Sequence, residues 1–402
     1  TFKVSQGVTT FIGGNCGVSA APLKQDMELP MPLGLVDSPP GSRYTTFAAY
    51  LNALRATPSS VNVAALVGHT TLRAVTMSAL DRAATVEEIA AMRALLDEAL
   101  SAGAIGFSTG TFYPPSAHAT TEEIIEIGRP LTARNGLYVT HMRDEADKVF
   151  EALDETFQIG RALSIPVVVS HHKVQNTHNF GKSAATLAFI SETMKHQCIG
   201  LDCYPHTAGS TMIRTESALL EGRVLINTSV PHPECNGRDL ADIAAEWGVS
   251  REEAAARLQP GSAIYFLMDE GDVQRILAFD QTMIGSDGIP LGDKPHPRLW
   301  GTFPRVLGLY SRELGLFSLE TAVWKMTGLT AQTFGLKARG ALKVGNHGDV
   351  VIFDAATVRD TATYEAPTQT ARGIDTVIVN GAVTWRNGAH TGARGGQVLG
   401  RG

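Results

Sequence analysis

Short runs of β-branched and other apolar residues alternate with longer stretches of helical periodicity through most of the chain. Residues 63–67 form such a run, ending at Gly68-His69, and helical sequence covers about 86–102 before a short strand at 104–107. Thr120 with Glu123 three residues on predicts a capping box, opening a helix that should stop near Gly136. The run 137–140 then leads to His141, a helix is expected over 147–163, and 166–170 leads to His171-His172. A further helix over 184–196 precedes the strand 199–204, which contains Asp202. His141, His171 and Asp202 are therefore 30 and 31 residues apart, one strand-helix unit each. Repetition at this period predicts a parallel sheet, and so many units favour a (β/α)8 TIM-like barrel over an open sheet. In such barrels the C-terminal strand ends carry the chemistry.

Two stretches break the repeat. About 75 residues separate Tyr204 from the next strand, 281–285, and they contain two expected helices, 238–247 and 250–258, the second capped by Ser250. So long a segment beside a strand end is expected to be a lid-like insertion, about 207–280. After the barrel (1–335), residues 343–353 and 376–383 predict hairpin strands with turns at 345–348 and at Asn380-Gly381, so 336–402 is expected to be a small β-sandwich portion. The chain opens at Thr1 on what reads as mid-fold sequence, which suggests that an N-terminal part, including the first barrel strand, is missing.

Composition narrows the class. At 402 residues, with 44% hydrophobic and 18% charged residues, the chain is an ordinary globular one that needs no disulfides. Its net charge of −6, from 34 basic and 40 acidic residues without blocks, argues against nucleic acid or an anionic membrane as partner. No apolar run reaches the roughly 18 residues of a membrane span, and a cytoplasmic protein is expected. The spacing of Cys16, Cys198, Cys203 and Cys235 matches neither a disulfide framework nor a zinc ribbon.

Candidate chemistry collects at the strand ends. His141 and His171 end consecutive units and should both face the barrel mouth. Cys16, within Gly13-Gly-Asn-Cys-Gly17, and Asp287, within Gly285-Ser-Asp-Gly288, follow apolar runs in the same way. Two imidazoles and a thiolate suit zinc and leave a fourth position open, while a nearby carboxylate could take a proton from water. Each has a plainer reading: Cys16 as a small buried residue in a glycine turn, Asp287 as a turn aspartate. Lone histidines are usually structural, so His69, His118, His178, His196, His232, His347 and His390 stay unassigned. Of the adjacent His171 and His172, which point to opposite sides of a strand, one at most is expected to be a ligand.

Six motifs in fixed order, Gly14-Asn-Cys-Gly17, Thr140-His-Met-Arg-Asp-Glu145, Ser170-His-His-Lys173, Tyr204-Pro-His-Thr-Ala-Gly-Ser-Thr211, Gly285-Ser-Asp-Gly288 and His296-Pro-Arg298, resemble those of the N-acyl-D-amino-acid deacylases, or D-aminoacylases, of the amidohydrolase superfamily. The ending, through Gly348-Asp-Val-Val-Ile-Phe-Asp354, is similar to that superfamily's closing β-sandwich. The resemblance implies a zinc-dependent hydrolase that splits small N-acyl-D-amino acids into a carboxylate and a free D-amino acid. Cys16, His141 and His171 would then hold one tightly bound Zn2+, with Asp287 as catalytic acid/base. Lys173, Tyr204, Ser210 and Arg298 would hold the α-carboxylate. Phe112, Leu219, Tyr265 and Met268 would line an apolar pocket favouring neutral side chains such as Met, Leu or Phe, whose plainer reading is core packing. Arg214 and Lys294 remain open as markers of an acidic side chain instead. A second, weaker metal site would draw its ligands from the missing N-terminal segment. Two alternatives stand beside this reading: a hydantoinase- or dihydropyrimidinase-like cyclic-amide hydrolase, and a non-catalytic ligand-binding or scaffold member.

Overall fold

The computed structural model describes residues 1–36 and 43–402. The main sheet runs β1 (Thr10–Gly13), β2 (Asn62–Gly68), β3 (Gly106–Gly110), β4 (Leu137–His141), β5 (Val167–Val169) and β6 (Ile199–Cys203), each paired in parallel with the next. The chain then builds a separate antiparallel sheet from β7 (Gly209–Met212), β8 (Arg223–Ser229) and β9 (Gly261–Phe266). It returns to the main sheet as β10 (Thr282–Ile284), parallel to β6. This is a TIM-like barrel fold with its helices outside. Its outermost edges, β1 and β10, face a cavity of about 1020 Å³ lined by Phe11, Ile12, Met283 and Ile284.

Strand periodicity sorts the core into two layers. Ala64, Leu66, Val139, Val168 and Met283 pack together on one face. Ala65, Val67, Phe107, Tyr138, Val167, Val169 and Leu201 point the other way, into the layer shared with the helices. Strands buried on both faces explain the nearly continuous apolar runs in the sequence.

The helix Val86–Ala102 forms as its pattern predicts, with Thr85 and Glu88 closing a reciprocal capping box. The Thr120 box is only half made. Thr120 caps Glu123 N, but the Glu123 carboxylate turns into the core to meet Arg73, His69 and Ala84 N. That helix ends at Gly128 rather than near Gly136, because Pro130 cannot continue it and begins a separate turn, Pro130–Ala133.

At the C-terminal end, β11 (Val350–Phe353), β12 (Ile374–Val379), β13 (Ala382–Arg386) and β14 (Ala389–His390) make a four-stranded antiparallel sheet. The turn at Asn380-Gly381 forms as expected, both residues having positive φ. The hairpin expected around 345–348 does not: β11 starts only at Val350 and pairs with β12. The last strand, β15 (Val398–Leu399), leaves this sheet and adds to β2. No helix among the described residues is long and apolar enough to cross a membrane. Replacing Thr85 by Ala should lower unfolding free energy by about 1 kcal/mol, read from the urea midpoint, since both halves of its box are formed.

Candidate active site

Backbone conformation brings the strand-end residues together. His141 shares the parity of Leu137 and Val139 on β4 and so points to the inner face. His171 would point outward by parity with Val167 and Val169, but its φ of 38° breaks the alternation. Ser170 and His171 thus both line the cavity, while His172 turns to hydrogen-bond Thr186 at 2.8 Å. Of the paired histidines, only His171 reaches the site. Cys16 sits after β1 at φ 55°, in a turn that two glycines make possible. A Cβ on Gly14 would lie 2.2 Å from Leu66 O, and one on Gly17 2.9 Å from Gly110 N, and both glycines have positive φ. Asp287 follows β10 at φ 44°.

Ligand-capable atoms of Cys16, His141 and His171 all lie within 4.8 Å of one another. Cys16 Sγ is 3.3 Å from His171 Nε2. Burial pushes the His141 imidazole down to about 3, so it is a neutral donor, and it pushes the Cys16 thiol up. Burial and Lys173 oppose charge on His171, yet Asp287, Cys16 and Glu145 together raise its pKa well above the usual value. One soft, half-buried sulfur and two buried imidazoles form a donor set that fits zinc or a similar transition ion. Because such an ion must displace protons from Cys16 and His171, its affinity should fall as pH falls.

Glu145 lies behind this cluster. Its Oε1 is 2.7 Å from Lys173 Nζ and 3.1 Å from His171 Nδ1, and its Oε2 is 3.7 Å from His141 Nε2 and accepts from Gln175 at 3.0 Å. Burial opposes its charge, but Lys173 and the two histidines hold its carboxyl well below the usual range. Lys173 Nζ also approaches His171 Nδ1 at 2.7 Å. If Nε2 of His171 binds a metal, Nδ1 must carry the proton, so Lys173 can no longer donate to it; Glu145 remains the acceptor for both.

The other wall carries a buried guanidinium with donors to spare. Arg298 is 1% exposed; its Nη2 meets Asp287 Oδ2 at 2.9 Å and Ser210 O at 3.2 Å, and its guanidinium stacks on Tyr204 at 4.5 Å. Arg298 Nε and Nη1 and Tyr204 Oη are buried without a protein partner. Lys173 Nζ lies 5.5 Å from the Tyr204 ring centroid, and Ser210 lines the same cavity as Asp287. Burial raises the Asp287 carboxyl, but Arg298, His171 and Lys173 outweigh it and keep the group ionised.

Of the expected side-chain pocket residues, Phe112 stacks on His141 at 5.2 Å. Tyr265 and Leu219 belong to the apolar cluster of the insertion, and Met268 lies beside Lys173 and Tyr204. His69, His178, His232 and His390 have local partners in Glu123, Asp147, Glu234 and Ser60.

Sequence reasoning missed Glu145 as a participant, although it closes the Thr140–Glu145 motif. It also missed Tyr113, whose Oη is 3.4 Å from His141 Nδ1. Lys3 likewise went unnoticed: it donates to Ser286 at 2.6 Å beside Asp287, and burial pushes its pKa down to about 8. Glu145→Gln should weaken zinc binding roughly 10- to 100-fold in chelator competition while the far-UV circular dichroism stays unchanged. Wild-type affinity in that variant would exclude a role in orienting His171.

The model of the amidohydrolase family matches residues 195–385. The chain is 59% identical over 401 residues to the D-aminoacylase of Alcaligenes xylosoxydans xylosoxydans, covering 100% of this chain and 83% of that protein. It superposes on a crystal structure of D-aminoacylase with a TM-score of 0.98 at 58% identity, covering 100% of this chain and 84% of the other. The N-acyl-D-glutamate deacylase of Bordetella bronchiseptica, complexed with zinc and a phosphonate mimic of the tetrahedral intermediate, gives 0.93 at 45% identity, covering 99% and 84%. The chain belongs to the N-acyl-D-amino-acid deacylases of the amidohydrolase family.

Proposed function

We propose that the protein hydrolyses the amide bond of N-acyl-D-amino acids, with zinc held by Cys16, His141 and His171. The observation that carries this reading is the meeting of two unlike features around Asp287 and His171. A three-residue soft donor set lies against a wall of buried, unpartnered hydrogen-bond donors suited to a carboxylate. A zinc ion there supplies Lewis acidity for the acyl carbonyl and for the attacking water.

The chain's own groups do the rest. Arg298, Lys173, Tyr204 and Ser210 bind the α-carboxylate and fix the Cα substituents. Asp287, ionised and aimed by Arg298, accepts a proton from water as the oxygen attacks the acyl carbon. When the C–N bond breaks, Asp287 returns that proton to the leaving nitrogen, giving a carboxylic acid and an amine, which part as carboxylate and ammonium once water's second proton follows. Phe112, Leu219, Tyr265 and Met268 receive a neutral side chain such as that of methionine. Three of these lie in the 207–280 insertion, which thereby acts both as a lid and as the reader of the side chain. A reducing cytoplasm would keep Cys16 from being oxidised and so available to the ion.

Amine release from N-acetyl-D-methionine should greatly exceed that from N-acetyl-L-methionine, because only one enantiomer meets both the carboxylate wall and the pocket. Asp287→Ala should lower kcat by roughly 10²- to 10⁴-fold while zinc content by atomic absorption stays stoichiometric. Undiminished turnover would rule out the proton-transfer role.

A further inference from the structure

The insertion places a cation where the apolar pocket is expected. Arg214 lies two residues beyond β7, and its backbone N–H donates to Tyr265 Oη at 2.8 Å, while that hydroxyl donates to Met212 O at 3.1 Å. Its guanidinium carbon lies 4.6 Å from the Phe112 ring centroid, and Phe112 stacks on His141. Arg214 therefore touches two of the four residues expected to line the side-chain pocket, one aromatic ring away from the donor cluster. Its side chain is only 12% exposed.

The charge is covered from within. Glu216 accepts from Arg214 Nε at 3.0 and 3.1 Å and from Nη2 at closer range. Arg214 Nη1 is buried with no partner. The Glu216 side chain is 51% exposed, and its carboxyl is lowered chiefly by the Arg214 hydrogen bonds. Two arms of the guanidinium fork are thus held by a carboxylate that can swing into water, and a third donor is unused. Lys294 differs: it is exposed and donates to Glu365 O.

We infer that Glu216 is an internal stand-in for a substrate carboxylate, masking Arg214 in a pocket that can take the acidic side chain of an N-acyl-D-glutamate or N-acyl-D-aspartate. With Glu216 in place the ion pair is neutral and the pocket favours an apolar side chain. An acidic substrate must first displace Glu216, exchanging one carboxylate for another on a preorganised fork. Selectivity between neutral and acidic substrates is then set by how firmly Glu216 holds Arg214.

This inference rests on the deacylase reading above, and one experiment separates the two. Values of kcat/KM are measured with N-acetyl-D-methionine and N-acetyl-D-glutamate for the zinc-loaded wild type, Glu216→Gln, Glu216→Ala and the double variant Glu216→Gln with Arg214→Met. Both Glu216 variants should raise the glutamate-to-methionine ratio at least tenfold, and adding Arg214→Met should abolish that gain. Methionine turnover at the wild-type level with a ratio changed less than twofold in both Glu216 variants would overturn the masking role and leave the deacylase reading standing. A gain that survives in the double variant would also overturn it, since the acid would then be read elsewhere. A wild type inactive on N-acetyl-D-methionine would sink the deacylase reading and this inference with it.

Discussion

Cys16, His171 and Asp287 hold φ angles of 55°, 38° and 44°, and the whole constellation depends on these three left-handed backbones. A non-glycine residue there costs roughly 1–2 kcal/mol, so neighbouring structure must enforce each one. Around Cys16, β2 and β3 pass so close that only Gly14 and Gly17 fit. At His171 the backbone N–H donates to Asp202 Oδ1 at 3.0 Å, and the next N–H donates to Asp202 O at 2.7 Å. One residue at the end of β6 thus clamps the reversal that turns His171 inward, which explains a buried carboxyl whose pKa burial raises to about 6. At Asp287 the preceding serine is tied to Lys3.

Burial raises the pKa of Cys16, and Asp287 and Glu145 help raise that of His171 against burial. An ion held by Cys16, His141 and His171 would take the place of protons on Cys16 and His171. Glu145 makes this workable, because its two oxygens serve His171, Lys173 and Gln175 together.

Much of this was legible in the sequence because the period of the strand-helix units maps directly onto sheet order. His141 could be aimed from parity alone. His171 could be located at its strand end but not aimed, since a left-handed residue inverts the pattern and nothing in Ser170-His-His-Lys173 announces it. The three-stranded sheet of the insertion escaped notice because β8 and β9 pair across an intervening helical segment. The 345–348 turn is good turn chemistry, Gly345-Asn-His-Gly348, but without a strand before it the turn closes no hairpin. Glu145 was invisible for a different reason. A carboxylate in a loop of mixed charge looks solvated until the fold shows it 4% exposed.

Resident carboxylates hold Lys173, Arg298 and Arg214, and they differ in how readily they let go. Burying such a cation unpaired would be strongly destabilising, on the order of 3–5 kcal/mol. Glu145 is enclosed and multiply bonded, so Lys173 stays paired whatever enters. Asp287 is 22% exposed at its side chain and bonds only one arm of Arg298. Arg298 can therefore take a substrate carboxylate on its unpartnered Nε and Nη1 without releasing Asp287. The same guanidinium would then grip the substrate's carboxylate and orient the group that moves the proton. Under the proposed function, recognition of an α-carboxylate and placement of the Asp287 carboxylate would be one event, and a substrate lacking that carboxylate would leave Arg298 free to pull Asp287 away from the reacting amide.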